Sequence, residues 1–387
     1  MLEIIVSLLG LLTGVIAGLF PGIHTNLIAI IVASFHADVW LSSVFLVAAA
    51  VSRSVIDAVP TVFLGASEDV MALLPGHKLL RKGFGIEAVK FCVLGSILGT
   101  IGGIVLIPVF VLIFPLLFSL IRPFLFWLLL FFIIILLLRD SWWSFCVFIL
   151  SGIIGVLALD SVREPLFPLL SGLFGASGLL FSIFKKADIP VQFDTDMLKM
   201  RKLPLCISAL TGILAGSIVT LFPGLGPSQA AALAQIKRIK SIRYLVLTGA
   251  LGTVDVIISL VTLFVLGKSR NGAVVIIEQL LGTIPSSALY IFIAVACIAA
   301  GISAVIALFA AKWYAFLIER IDYSLISASV FILLLIMSLI LSGWLGLLIF
   351  LTATAVGLIA PLTNVSRAHA MGCLLVPTLL LLTPIAL

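Results

Sequence analysis

The sequence predicts an all-α polytopic membrane protein with two inverted-topology repeats, each a Pro-Gly-broken re-entrant hairpin followed by about five transmembrane helices. Three observations predict this fold class. The chain is 63% hydrophobic and only 10% charged, and apolar runs of membrane-spanning length recur along its 387 residues. The tetrapeptide Leu-Phe-Pro-Gly occurs twice, at 19–22 and 221–224. The basic residues collect on one side of the resulting topology.

The first hydrophobic segment, residues 2–36, is too long for one straight crossing. A continuous helix of that length would measure about 50 Å, against a hydrocarbon core of ~30 Å. Pro21 and Gly22 interrupt it, because proline lacks a backbone donor and glycine adopts conformations that other residues avoid. We therefore expect a hairpin that enters the membrane, breaks at Pro21-Gly22 and returns to the same side.

The rest of the chain follows the same plan in both halves. In the first half, the apolar segments predict spans near residues 40–64, 91–114, 123–138, 143–159 and 165–184. In the second half, they predict a hairpin at 205–236 and spans near 243–267, 287–311, 322–341, 344–360 and 368–386. The predicted domains are a first transmembrane repeat at 1–184, a cytoplasmic linker at 185–204 and a second transmembrane repeat at 205–387.

A constant offset of 202 positions relates the two halves. It aligns Pro21-Gly22 with Pro223-Gly224, Gly14 with Gly216, Ala29 with Ala231 and Gly99 with Gly301. Such a constant offset indicates two homologous repeats. Because each half contains an odd number of full spans, the second half begins on the opposite side of the membrane, and the repeats are inverted.

Loop charge supports this topology. With the 185–204 linker inside the cell, most of the 22 Lys and Arg residues fall in inside loops, whereas the outside loops hold Arg122, Arg163, Lys268 and Arg270. The sequence therefore predicts a multi-pass protein of a prokaryotic cytoplasmic membrane, embedded in the lipid bilayer. Nucleic-acid binding is not expected, since the basic residues are spread among the loops without interleaved aromatic residues.

Each break in a hydrophobic segment is predicted to form half of a substrate site. A helix that restarts at membrane depth presents free N–H groups and a positive dipole end, which favour an anion. Polar residues follow both breaks. The predicted substrate-binding residues are Pro21, Gly22, His24, Thr25 and Asn26 in the first half, and Pro223, Gly224, Gly226, Pro227, Ser228 and Gln229 in the second. The alternative interpretation is a pair of proline kinks accommodated by neighbouring helices.

Charged residues also lie inside the predicted spans. Arg53 and Asp57 stand four positions apart, so they share one helical face. The offset aligns Asp255 with Arg53, so a symmetric fold would bring these two residues close together. Arg53 would then bind an anion, and Asp57 or Asp255 would carry a coupling ion. The alternative is a structural salt bridge that holds the helices together.

The sequence contains no pattern typical of an enzyme. We find no G-x-S-x-G, no H-E-x-x-H and no phosphate loop of the Walker type, so neither catalytic residues nor ATP hydrolysis is expected. The five cysteines have no metal-like spacing, and no metal site is predicted. No cofactor is expected beyond a coupling ion, Na⁺ or H⁺.

Several stretches resemble one transporter family. GILAGSIVTLFPGLGPSQAAALA (212–234) and GVIAGLFPGIHTNLIAIIVA (14–33) look like the duplicated Pro-Gly signature of the large membrane subunit of tripartite tricarboxylate transporters. The segments at 63–103 and 159–180 are similar to that family's polar turn with a Gly-rich span and to its I-G-L-F-G region. The chain resembles a divergent, compact member, because it is shorter than usual and carries His24-Thr25-Asn26 where the family has small residues.

The resemblance implies a secondary transporter that moves a small organic carboxylate anion by alternating access, coupled to an ion gradient. It also implies two partners, a small membrane subunit and an extracytoplasmic solute-binding protein. One alternative is a translocase for a lipid-linked anion such as a polyprenyl phosphate. A membrane-embedded structural or enzymatic protein is the other.

Overall fold

The structure is a computed structural model and is all-helical. It describes residues 1–20, 25–34, 38–64, 76–138, 141–162, 164–184, 190–194, 201–221, 230–231, 241–269, 271–320 and 323–383. In chain order the helices are α1 (Leu2–Leu19), α2 (Thr25–Ser34), α3 (Val39–Ile56), α4 (Ala58–Phe63), α5 (Gly85–Val105), α6 (Ile107–Ile121), α7 (Leu125–Leu138), α8 (Trp142–Leu159), α9 (Leu166–Leu170), α10 (Ser177–Phe184), α11 (Lys202–Val219), α12 (Ser241–Leu266), α13 (Gly272–Leu281), α14 (Ser286–Arg320), α15 (Tyr323–Leu362) and α16 (Gly372–Leu381). Short 3₁₀ turns cover Arg122–Phe124 and Arg367–Met371, and one π-helical turn covers Ser171–Ala176.

Nine helices within the described ranges are long and apolar enough to cross a membrane. The predicted class of polytopic helical membrane protein is therefore confirmed. Helix α1 is one of the nine. The predicted spans 91–114 and 123–138 differ from the observed Gly85–Val105 and Ile107–Leu138, since an apolar run does not reveal where a helix breaks.

The helix α15 joins two predicted spans into one element with an internal break. Gly343 has φ 66° and ψ −162°, a conformation that is favourable only for glycine. The predicted boundary between 322–341 and 344–360 therefore falls at this kink, although the helical segments continue on both sides of it.

The chain divides into two compact units, each assembled from both halves of the sequence. Unit 1 comprises Met1–Phe63, Ala72–Ser119 and Pro190–Glu319, and unit 2 comprises Leu64–Met71, Leu120–Ile189 and Arg320–Leu387. Each compact unit therefore combines an earlier and a later stretch of chain. The predicted repeats 1–184 and 205–387, joined by the linker 185–204, are consecutive stretches of sequence, and this division stays a prediction.

In unit 1, α1 packs lengthwise on α3 through small residues. Gly10 lies against the carbonyl of Phe45 and Gly14 against that of Ala49, so that a methyl group at either glycine would overlap the α3 backbone. Both contact positions advance by four residues in the same direction, so α1 and α3 run parallel.

The beginning of α3 lies beside the beginning of α1. Asp38 caps α3 by accepting a hydrogen bond from the Leu41 amide at 2.9 Å. The Trp40 indole Nε1 donates to Glu3 Oε1 at 2.6 Å. The helices α1 and α3 are thus parallel and start side by side.

The helix α12 packs closely against two other helices, α5 and α11. Gly95 and Gly99 of α5 lie against the backbone of Val246 and Ala250, so α5 and α12 are parallel and nearly in backbone contact. This packing of small residues is common between helices in membranes. In addition, the Thr253 hydroxyl donates across the interface to the carbonyl of Ser96 at 3.0 Å.

The other partner of α12 is α11. Gly212 lies against Leu247 and Gly216 against Leu251, which makes this pair parallel as well. Phe63, the last residue of α4, packs on Gly85, the first residue of α5. Ser54 of α3 lies against Gly252, in the middle of α12. From Ser54 to Phe63 the chain therefore runs towards the start of α5, so α3 and α4 run opposite to the parallel helices α5 and α12.

Unit 2 is built from the later parts of both sequence halves. Gly155 of α8 lies against Cys373 of α16, and Gly172 in the π-helical turn lies against Phe350 of α15. The α15 helix also packs on α8 and α10. As in unit 1, small residues allow the helix backbones to approach closely.

A clasp formed by linker residues 190–194 fastens to unit 1. Gln192 is only 7% exposed. Its side-chain Oε1 accepts from the Gly85 amide at 2.8 Å, and its Nε2 donates to the Leu80 carbonyl at 3.0 Å. Its backbone amide donates to Glu319 Oε1 at 2.9 Å. The clasp therefore joins the start of α5 to the end of α14.

Asp194 completes the clasp through two ion pairs. Its carboxylate lies 2.7 Å from Lys312 Nζ and 3.0 Å from Lys90 Nζ. The hydrogen bonds from Lys312 and Lys90 hold the pKa of Asp194 below its usual range. Folding stability from this carboxylate is therefore present above its unfolded pKa and is lost as the pH falls through its lower folded value.

Replacing Gly99 should loosen the contact between α5 and α12. We expect Gly99→Leu to cost about 1–3 kcal/mol, because the new side chain has to displace the Ala250 backbone. Melting temperatures of the detergent-purified protein measure this loss. Gly301→Leu is the matched control, since Gly301 is exposed and has no neighbour within 4 Å. Equal melting temperatures for the two variants would contradict this account of the interface.

Neutralising Asp194 should lower stability in a pH-dependent manner. At pH 7 Asp194→Asn should melt below the wild type. The difference should begin to shrink below about pH 4, the pKa of an aspartate in the unfolded chain, and vanish as the pH falls through the lower folded pKa of Asp194. Added salt should reduce the difference too. Asp160→Asn serves as the control, because Asp160 is exposed and has no ion pair among the described residues. A constant difference from pH 7 to pH 3 would exclude the ion pairs as its cause.

Candidate functional site

Most of the predicted substrate-binding residues lie outside the described residues. These are Pro21, Gly22, His24, Pro223, Gly224, Gly226, Pro227, Ser228 and Gln229. Thr25 is described as the first residue of α2 and is half-buried, and the backbone of Asn26 is helical. The structure therefore describes α1 and α2, the helices before and after the first Pro-Gly pair.

The carbonyl at the end of α1, before the first break, accepts a hydrogen bond from another helix. After α1 ends at Leu19, Phe20 adopts an extended conformation with φ −96° and ψ 112°. The Tyr314 hydroxyl of α14 donates to the Leu19 carbonyl at 2.7 Å, and Tyr314 is only 7% exposed. Sequence reasoning missed Tyr314, although a tyrosine late in a long apolar helix is a weak signal of such a role.

The helix before the second break ends differently. The Thr220 hydroxyl donates to the Ser217 carbonyl of its own helix at 2.8 Å, and the Leu221 amide donates to the Ile218 carbonyl. Thr220 is 2% exposed and Leu221 is 1% exposed. The residues that end α11 are therefore buried, whereas at the end of α1 Leu19 is half-buried and Phe20 is 51% exposed.

The helix that follows the first break is packed inside unit 1. The α2 helix contacts α3 and α13. Ala29 of α2 is fully buried, and so is Ala231, the residue at the same place in the second half. The helices α3 and α13 thus hold α2 in place, including its N-terminal end.

Of the intramembrane charges, Arg53 and Asp57 lie on α3. Arg53 is in the last turn of the helix, and Asp57 is its C-terminal cap residue. The Thr61 hydroxyl donates to the Asp57 carbonyl at 2.6 Å and lies 3.4 Å from the Asp57 carboxylate. The four-residue spacing keeps both charges on the same side of the α3–α4 segment.

Asp255 has a partner that the sequence did not indicate. Asn271 Nδ2 donates to Asp255 Oδ2 at 2.7 Å. Among the described residues, the hydrogen bond of this carboxylate therefore goes to Asn271, whereas the repeat offset suggested Arg53. Asn271 also caps α13, because its Oδ1 accepts from the Ala273 amide at 3.1 Å.

The contact with Asn271 shows where α13 starts. Asp255 lies in the middle of α12, which ends at Leu266. The chain therefore turns back after α12 and begins α13 beside the centre of the preceding helix. From there α13 packs on α3 and α2, the helix that follows the first break.

Unpaired hydroxyl groups occur on the same two helices. Ser52 of α3 and Ser259 of α12 are completely buried, and within the described ranges their hydroxyls have no hydrogen-bond partner. The Ser54 hydroxyl also has none and lies against Gly252. Buried polar groups usually have partners, so each unpaired one calls for an explanation, and a functional role is one such explanation.

No cluster of three or more His, Cys, Asp or Glu residues that could hold a metal ion occurs in the described part of the chain. The described part of the candidate site thus consists of helix ends, one carboxylate–amide pair and buried hydroxyls. Such polar groups can bind and release a solute or an ion.

Sequence comparison assigns the family. The profile described as "Tripartite tricarboxylate transporter TctA family" matches residues 4–372, and the chain belongs to this family. It is therefore a multi-pass membrane transport protein and not an enzyme. The chain is also 28% identical over 407 residues to the uncharacterized protein MJ1079 of Methanocaldococcus jannaschii, covering 98% of this chain and 99% of that protein. No solved structure matches the chain.

Removing the Tyr314 hydroxyl should destabilise the end of α1. Tyr314→Phe leaves the Leu19 carbonyl without its partner, which should cost about 1 kcal/mol or more. Thermal unfolding of the purified protein measures the change. Tyr290→Phe on the same helix is the control, because Tyr290 is 71% exposed. A Tyr314→Phe protein as stable as this control would show that the hydrogen bond does not hold α1.

Proposed function

We propose that this protein is a secondary transporter that moves a small organic carboxylate anion across the cytoplasmic membrane by alternating access, coupled to an ion gradient. Membership of the TctA family supports transport by a membrane subunit. The observation that supports an anionic substrate is that α2 begins at Thr25, soon after Pro21-Gly22, because the first amides and the positive dipole end of a helix favour an anion.

We propose further that the two halves are inverted repeats, and contacts within unit 1 support this. The contact of Gly10 with Phe45 recurs 202 positions later as that of Gly212 with Leu247. The same holds for the next turn, where Gly14 with Ala49 recurs as Gly216 with Leu251. The helices α3 and α12, which occupy the same place in the two halves, run in opposite directions. Identical local packing with reversed direction is what inverted repeats produce.

The proposed substrate site comprises the residues at the two breaks. An anion would accept hydrogen bonds from the first amides of α2 and of its counterpart in the second half, where the helix dipole favours negative charge. Thr25 stands at the first of these positions and is half-buried. The proposed substrate-binding residues are Pro21, Gly22, His24, Thr25, Asn26, Pro223, Gly224, Gly226, Pro227, Ser228 and Gln229.

We also propose that the chain works with accessory proteins. The family description names a tripartite transporter, and such a system needs a small membrane subunit and an extracytoplasmic solute-binding protein beside the large subunit. The apolar faces of the outer helices would contact lipid or the small subunit.

Uptake by reconstituted liposomes tests this function. With a panel of labelled di- and tricarboxylates, the wild type should take up at least one solute, with its cognate solute-binding protein added where it is required. Exchanging Pro223-Gly224 for Ala-Ala should abolish that uptake, because a continuous helix offers no free amides to the anion. Insertion and folding should be retained.

The matched control is Pro115→Ala. Pro115 lies inside the helix α6 and is exposed, and its replacement should leave uptake unchanged. Full uptake by the Ala-Ala variant would remove the breaks from the mechanism. Failure of the wild type to transport any carboxylate would exclude the proposed substrate class.

A further inference from the structure

We propose that Asp255 is the proton-carrying residue of this transporter, that Asn271 is its positioning residue, and that only the second half of the chain carries such a site. The proposal deepens the proposed function and rests on it for the coupling to transport. The binding of a proton by Asp255 can be measured without any transport.

The orientation of the Asn271 amide favours a proton over a metal cation. Its Oδ1 already accepts from the Ala273 amide, so its Nδ2 must face Asp255. The amide therefore offers a donor, not an oxygen ligand, to anything bound at the carboxylate. A hard cation needs several oxygen ligands, whereas a proton needs one lone pair of the carboxylate. Asp255 Oδ1 provides that lone pair.

The charge balance distinguishes Asp255 from Asp57. Arg53 and Asp57 stand four positions apart on one face of the α3–α4 segment, so each has an opposite charge on its own face. Among the described residues, Asp255 has a hydrogen bond to a neutral amide. An ionised carboxylate in the membrane interior is costly unless it is neutralised, so a proton is the expected companion of Asp255.

The elements packed on α12 supply no other described partner for Asp255. Their ionisable residues are Glu87, Lys90 and Cys92 on α5, Lys202 and Cys206 on α11, Arg53 and Asp57 beside it on α3 and α4, and Glu278 on α13. Lys90 pairs with Glu87 and Asp194, and Glu278 accepts a hydrogen bond from the Ser269 amide. These contacts engage groups at the ends of the helices, away from the middle of α12.

Unpaired hydroxyls beside Asp255 are the second observation that points to a ligand. Ser259 lies one turn beyond Asp255 on the same face of α12, is fully buried and has no partner among the described residues. On the other side of Asp255, the Ser54 hydroxyl lies against Gly252 and is also unpaired. These hydroxyls can donate to the ionised carboxylate or accept from the protonated one.

The asymmetry between the halves follows from the repeat. The position that holds Asp255 in the second half holds Arg53 in the first. A permanent positive charge cannot bind a proton in the relevant pH range, because arginine stays protonated. One proton-binding carboxylate per chain is therefore expected at this pair of positions.

Infrared difference spectroscopy of the purified protein tests proton binding directly. On acidification the wild type should show a protonated-carboxyl C=O stretch, and this band should be missing from Asp255→Asn. Asn271→Ser keeps a residue that can cap α13 but removes the amide donor. In this variant the band should appear at a pH about one unit higher, because the ionised carboxylate has lost a hydrogen bond. Glu278→Gln is the control and should keep the wild-type titration of this band.

Transport in liposomes tests the coupling. A proton gradient without Na⁺ should drive accumulation in the wild type and in Glu278→Gln, but not in Asp255→Asn. Asp255→Asn should still exchange labelled for unlabelled solute when no gradient is present. If Asp255→Asn loses exchange as well, the pH dependence of transport by Asn271→Ser provides the test. Its midpoint should lie above that of the wild type by the same interval as the infrared band.

The outcomes separate the two proposals. An infrared titration unaffected by Asp255→Asn would overturn the proton site, and so would accumulation that needs Na⁺ and ignores the proton gradient. A wild type that shows the Asp255 band but transports no carboxylate would overturn the proposed function and leave the proton site standing.

Discussion

The requirement that every backbone polar group in a bilayer finds a partner within the protein governs this structure. A helix interrupted at membrane depth leaves carbonyls without amides, and the protein has to supply donors from elsewhere. At the end of α1 the donor is the Tyr314 hydroxyl from a helix almost 300 residues later in the chain. At the end of α11, Thr220 returns its hydroxyl to its own helix. A helix end is therefore satisfied either by a neighbouring helix, as at α1, or by its own last turn, as at α11.

Close packing of small residues brings these supporting helices together. Glycines on α1, α5 and α11 lie directly against backbone carbonyls of α3 and α12. Between such surfaces there is no room for lipid or for a larger side chain, so the positions of α2 and α13 are set by contact with a rigid neighbour. The linker clasp adds polar contacts at one end of the same unit, where Gln192 and Asp194 hold the ends of α5 and α14.

How far the sequence predicts this protein depends on the feature. Composition predicts a helical membrane protein, because its apolar surface cannot be buried in any other way. Helix boundaries are less predictable. The break at Leu106 lies inside the predicted span 91–114, where hydropathy is uniform, whereas the break at Gly343 falls at the predicted boundary between 322–341 and 344–360. The pairing of Asp255 illustrates the difference. The repeat offset suggests Arg53, but a turn after α12 brings Asn271 to the carboxylate.

The sequence by itself determined the class, the two Pro-Gly interruptions and the residues that carry charge within the membrane. These depend on composition and on local chemistry, which each residue carries with it. The tertiary structure alone decided that α14 supports the end of α1 and that the Asn271 amide faces Asp255. Contacts such as Tyr314 with Leu19 join residues far apart in the chain, and only the packing of helices brings their atoms within hydrogen-bond distance.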